Sequence, residues 1–221
     1  MAAAPVQAAV PVALQLGALV AAAVVLAAAA RGLPWYKLEG DREAQRVLLL
    51  ATAALAALRW FNADALAGSS LHFLGATVAT LMFGPRFALW ALAVASLLAW
   101  IGGTAWLGWA PDFLACGVVP VLATQALYRI EQAHLPPNLF VYVLVNGFGG
   151  GALAMLASHL AKAGVAAWSG LGDPAFYLVS AVPMMFGEGF LSGGTMALVV
   201  VYRPQWCASF DDDRYLRPPP A

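Results

Sequence analysis

Apolar residues run in long blocks along this chain, and short polar or Gly/Pro-bearing turns separate them. A helix that crosses hydrocarbon needs roughly 20 mostly apolar residues. Seven segments are candidates: about 7–30, 44–61, 71–83, 87–109, 112–130, 138–162 and 174–202. The third is short for a full span and is cut off by Gly84-Pro85. Arg31-Gly32-Leu33-Pro34 closes the first, and Pro, Gly or charged residues divide the others, as expected of helix ends. The pattern predicts an all-α polytopic membrane protein of about seven transmembrane helices. Residues 1–203 form one helical domain, and residues 204–221 form a short, solvated cytoplasmic tail.

Composition strengthens this reading. Hydrophobic residues make up 62% of the 221 and charged residues 10%, against about 25% charged in soluble domains. Eleven Lys and Arg balance eleven Asp and Glu, so no basic excess points to nucleic acid. Nucleotide-binding, zinc-protease, serine-hydrolase and paired C-x-x-C signatures are missing, so neither an enzyme nor an ATPase is expected.

Orientation follows from the cations. With the N-terminus outside, Arg31, Lys37, Arg42, Arg46, Arg86, Arg129, Arg203, Arg214 and Arg217 fall on the cytoplasmic side, nine of the eleven Lys and Arg. Only Arg59 and Lys162 are left outside. The N-terminal apolar run has no preceding Lys or Arg and exceeds a signal core, so it is expected to stay as a span. Localisation is then a multi-pass protein of the plasma (inner) membrane. Cys116 and Cys207 fall on opposite sides and are not expected to pair.

Polar groups inside a membrane are costly and call for a partner or a purpose. Asn62, Asp64, Ser69, Ser70, His72, Asp112, Cys116 and His159 gather in the outer half, a set rich in metal-ligand types. His72 is expected at the outer start of the short third helix, with Gly75, Ala76 and Ala79 on its face. Each has a plainer reading. His72 donates to a backbone carbonyl, Asp64 pairs with Arg59, and Asp112 caps the fifth helix. Cys116, one turn beyond Asp112 on the same face, packs as a small apolar residue, and His159 lies at the interface. Deeper in the membrane, Asn146 suits an interhelical hydrogen bond. Glu188 stands among Pro183, Gly187 and Gly189 as a protonated carboxyl or a hydrogen-bonded carboxylate. Small residues recur as Ala91, Ala95, Ala99 and Gly103, as Gly147 and Gly151, and as Gly189 and Gly193, where helices come close within the fold or with another subunit. Trp100, Trp106, Trp109, Tyr202 and Trp206 suit interfacial belts.

The stretch Gly68-Ser69-Ser70-Leu71-His72-Phe73-Leu74-Gly75-Ala76-Thr77, with Leu81-Met82-Phe83-Gly84-Pro85 after it, resembles the G-S-S-x-H-x-x-G-T…L-x-G-P signature of the CbiM/NikM family. Phe186 to Gly194, running on to Tyr202-Arg203-Pro204, is similar to that family's last helix with its glutamate. Members are substrate-capturing membrane subunits of energy-coupling factor importers for cobalt and nickel. The resemblance implies capture of a transition-metal ion as cargo, with no permanently bound cofactor. It also implies membrane lipid, a transmembrane coupling subunit and separate ATPase subunits as partners. In the family a Met-His N-terminus and the motif histidine build a square-planar site, a geometry that Ni(II) favours. Here residue two is Ala2, so only His72 carries over. Asp64 and His159 are then the expected replacement donors, with Glu188, Asn146, Ser69 and Ser70 supporting the site. The alternative is a membrane scaffold or assembly subunit that keeps the permease fold without transport.

Overall fold

The computed structural model describes residues 10–61 and 70–216, which fold into helices with no strand among them. We number these α1 (Val12–Ala30), α2 (Arg42–Trp60), α3 (Ala76–Phe83), α4 (Pro85–Ile101), α5 (Trp109–His134), α6 (Leu139–Ser169), α7 (Pro174–Tyr202) and α8 (Asp212–Tyr215). A helix occupies each of the seven apolar segments, and α2, α4, α5 and α6 run past the expected bounds. By length and composition α1, α5, α6 and α7 suffice to cross a bilayer, and α4 is a shorter apolar helix. α2 is as long as α1 but carries Arg42, Glu43, Arg46 and Arg59, and α3 has only eight residues.

Local chemistry sets the boundaries. The carboxylate of Asp41 accepts from the amide of Ala44 at 2.9 Å, and Asn138 and Asp173 cap α6 and α7 in the same way. Pro174 sits at the first position of α7, where its missing N–H removes no helical bond. In α5, Pro120 cannot donate back to the carbonyl of Cys116, and the helix widens to a π segment over Leu114–Val118.

The exterior is largely apolar, and several ionisable groups lie inside beside an apolar core. Val12, Leu16, Val20 and Val24 of α1 are exposed, while Arg59, His72, Asp112, His159, Lys162 and Glu188 are buried. The apolar exterior suits a hydrocarbon solvent, and the buried ionisable groups call for partners or a purpose. α6 and α7 pack along their length through the small residues noted in the sequence, so these stripes serve contacts inside the fold. A Cβ built on Gly151 would lie 2.7 Å from the Glu188 carbonyl oxygen and 2.9 Å from the Ser192 side chain. Replacing Gly151 by valine is therefore expected to force α6 from α7 and cost about 1–3 kcal/mol or more. Thermal denaturation in detergent should show a clear loss, while Gly164→Ala, whose Cβ meets nothing within 4 Å, should leave the melting temperature unchanged or raise it.

Three sequence expectations need correction. The third helix starts at Ala76, not Leu71, so His72 lies in an irregular approach and shares no helical face with Gly75, Ala76 and Ala79. The fourth ends at Ile101. The chain then reverses through Gly103, Leu107 and Gly108, all with positive φ, and brings Trp106 into the core instead of the interface.

The tail, finally, is not a free solvated end over its described part. The amides of Ala208 and Ser209 donate to the carbonyls of Met82 and Leu81 at 2.8 and 3.1 Å, because α3 ends there with its last carbonyls unpaired. Phe210 and Tyr215 bury their rings against Tyr142. Burial, followed by the nearby Glu131 carboxylate, pushes the Tyr215 phenol above its ordinary value, so it remains a donor to Glu131 Oε2 at 3.3 Å.

Candidate metal centre

Residues 70–75 run without regular structure into the bundle, and Glu188 holds them there. Its two carboxylate oxygens accept from the backbone amides of Leu74 and Gly75, each at 2.8 Å. Ser192, one turn along α7, makes a longer contact of 3.4 Å to Oε1. Gly75 turns into α3 with φ of +62°, a conformation that glycine adopts without strain. Gly187 leaves room for the Phe73 ring, which would stand 2.7 Å from a Cβ at that position. The Glu188 side chain, one of the expected supporting residues, thus accepts two amides and fixes the approach that carries His72.

His72 is 3% exposed. Its Nδ1 lies 3.0 Å from the carbonyl oxygen of Phe73, which can only accept, so Nδ1 bears the proton and Nε2 the lone pair. Nε2 is buried and has no hydrogen-bond partner. A ligand atom of His72, one of Asp112 and the Cys116 sulfur all lie within 4.8 Å of one another. Metal–ligand distances of about 2.0–2.3 Å bring such a triad onto one ion after a modest contraction. Asp112 and Cys116 face together because they stand one turn apart on α5.

Asp112 does not cap its helix, since Gly108 occupies that position. Instead Oδ1 accepts from the Trp106 amide at 3.2 Å, and Oδ2 is ion-paired with Nη1 of Arg59. Among the described residues, then, the partner of Arg59 is Asp112, 53 positions away, rather than a neighbour across the outer turn. A carboxylate has about four lone-pair sites, so Asp112 keeps capacity for a metal. Lys162 is also buried. Its Nζ donates to the Ser70 carbonyl at 3.0 Å and stands 5.8 Å from the ring centres of Trp106 and Tyr177. Arg59 and Lys162 were not singled out from sequence as site residues, yet they are the two cations that the outer side retained in the charge count.

The other expected residues fall as follows. His159, on α6, is buried with Nδ1 3.0 Å from the Met155 carbonyl and its ring against Tyr177, outside the three-donor group. Ser70 contributes its backbone carbonyl, and Ser158 sets its hydroxyl 3.9 Å from the Cys116 sulfur. Asn146 is buried in a second π segment, Tyr142–Gly149, where its amide makes no hydrogen bond, contrary to the expected interhelical one. Asn62, Asp64 and Ser69 lie outside the described residues. Cys116 and Cys207 are both free thiols in separate core clusters. A cleft of about 280 Å³ beyond the far end of α3, beside Asp41, Glu43 and Trp206, contains no buried donor set and is not the metal site.

An all-α bundle with apolar helices on its exterior and a buried histidine, carboxylate and thiol defines a polytopic membrane protein with a buried cluster of metal-ligand types. The profile of the family described as cobalt uptake substrate-specific transmembrane region, CbiM, matches residues 7–206, and the chain belongs to that family. The family is a transport membrane component, and its work is metal import. No curated protein and no solved structure matches the chain significantly.

Proposed function

We propose that this chain is the substrate-capturing subunit of an energy-coupled importer, taking a transition-metal ion of the cobalt or nickel type from the outer side of the plasma membrane. The observation that carries this reading is the buried group of His72, Asp112 and Cys116, in which the His72 Nε2 has no hydrogen-bond partner. Imidazole, carboxylate and thiolate together suit borderline first-row ions and discriminate against magnesium or calcium, which prefer oxygen alone. His72 is the central ligand in this account, Asp112 and Cys116 are further donors, and Glu188 positions the approach. His159 and Asp64 stay as donors for a loaded state in which the group rearranges. The outward N-terminus favoured by the distribution of Lys and Arg supports a site towards the outer face. Transport then requires a transmembrane coupling subunit and ATPases on other chains, because no nucleotide-binding motif is present.

The test is metal content, by mass spectrometry, of the detergent-purified chain after exposure to cobalt, nickel, copper and zinc in turn. About one cobalt or nickel ion per chain, surviving gel filtration, is the expected result. Retention of none of the four by folded protein overturns the reading and favours the scaffold alternative, which recovery with a membrane complex lacking ATPases would then support.

A further inference from the structure

Arg59 lies in the last turn of α2, 1% exposed, and its guanidinium presents two edges. Nη1 is taken by Asp112. Nε and Nη2 form the other edge, and both are buried without a hydrogen-bond acceptor. A guanidinium is far too costly to bury with a fork of N–H groups unanswered. The indole Nε1 of Trp106, whose backbone amide bonds the same Asp112 carboxylate, is buried and unanswered as well. Lys162 adds a second buried cation, with its ammonium near the Trp106 ring. Among the described residues, this end of the site therefore has more N–H donors than acceptors, and its two cations meet one carboxylate.

The opposite imbalance holds at His72, where Nε2 is a lone pair with no donor. Asp112 joins the two features: one oxygen holds Arg59, and the carboxylate belongs to the donor group around His72. A ligand that answers both must offer a Lewis acid to the imidazole and paired oxygens to the guanidinium. The Nε/Nη2 edge of arginine matches a planar oxyanion bidentately. With the Asp112 carboxylate and a Cys116 thiolate offsetting Arg59 and Lys162, a bare dication still leaves the site with net positive charge in a medium that screens it poorly.

We propose that the Nε/Nη2 edge of Arg59 is a subsite for a small planar oxyanion of the carboxylate or carbonate class, bound together with the metal ion at His72. The inference rests on the metal reading above and narrows its substrate to an ion accompanied by an oxyanion, either as a carboxylate chelate or with free carbonate. No covalent step is involved; the guanidinium edge would hold the anion, which would leave with the ion.

The experiment measures cobalt binding to the purified full chain by equilibrium dialysis in buffer free of carbonate and carboxylates, then with added bicarbonate, with added acetate, and with cobalt presented as its citrate complex. The expected result is an affinity about tenfold higher or more in at least one oxyanion condition. A gain with bicarbonate or acetate identifies a free anion, and a gain with citrate alone identifies a chelate. Arg59→Lys, which keeps the charge and loses the fork, is expected to bind cobalt with the anion-free affinity in every condition. Equal wild-type affinity throughout, or an equal anion gain in Arg59→Lys, overturns the subsite and leaves metal capture standing. No cobalt bound in any condition overturns metal capture itself, and the subsite with it. Should Arg59→Lys not fold, the wild-type series decides alone.

Discussion

His72→Ala is expected to lower metal affinity by more than about 100-fold and to abolish uptake. Loss of a group behind a ligand already costs about 10–100-fold in metal sites, and His72 supplies the one donor atom in the group that is oriented, buried and unpartnered. The substitution leaves the architecture in place, because Glu188 grips the approach through the backbone amides of Leu74 and Gly75 and not through the imidazole. Removing Asp112 is a poorer test of the same idea. It strands the buried Arg59 cation, and breaking a buried pair costs about 3–5 kcal/mol, so lost binding could not be separated from lost fold. Two measurements check the prediction: metal per chain by mass spectrometry, and the melting temperature of the same sample. Lost metal with an unchanged melt supports His72 as the ligand. Unchanged metal content refutes its place at the centre of the site.

The seven apolar blocks were legible because length and turn chemistry are local properties, and the caps at Asp41, Asn138 and Asp173 are local in the same sense. The errors arose where a distant residue overrides a local preference. Leu71 to Phe83 reads as one short helix, but Glu188, 113 and 114 positions away, takes the amides of Gly75 and Leu74 and so delays the helix to Ala76. Trp106 reads as interfacial, but the reversal after Ile101 carries it to Asp112. The Arg59–Asp112 pair spans 53 positions, and sequence offers proximity along the chain and not across the bundle.

The metal-ligand residue types were visible beforehand, including the shared face of Asp112 and Cys116. What placed them with His72 was the packing of α5 against the approach to α3, which no local pattern records. One signal was present and went unused. With the N-terminus taken as outside, nine cations fall inside and two outside, and the two call for a reason. Charges that defy the orientation rule while lying in apolar surroundings are expected to be buried and engaged, and Arg59 and Lys162 are both.

Glu188→Gln is expected to impair stability and metal retention together, which separates it from His72→Ala. The glutamine keeps the shape of the side chain but replaces one acceptor with an NH2 group facing a backbone N–H. One of the two amide hydrogen bonds, at Leu74 or Gly75, is lost, and the donors now oppose each other. Hydrogen bonds to charged groups contribute about 1.5–3 kcal/mol, and a backbone N–H left unpaired inside a membrane protein has no water to turn to. The approach then loosens at the point that fixes His72 two residues earlier, so both the melting temperature and metal per chain should fall. Glu188→Ala, which removes both acceptors, should be worse on both counts. Retained stability and retained metal in Glu188→Gln would show that the Phe73 packing and the turn at Gly75 suffice to place the imidazole. Lost metal at full stability would instead make Glu188 a participant in binding, a role its two amide contacts do not require.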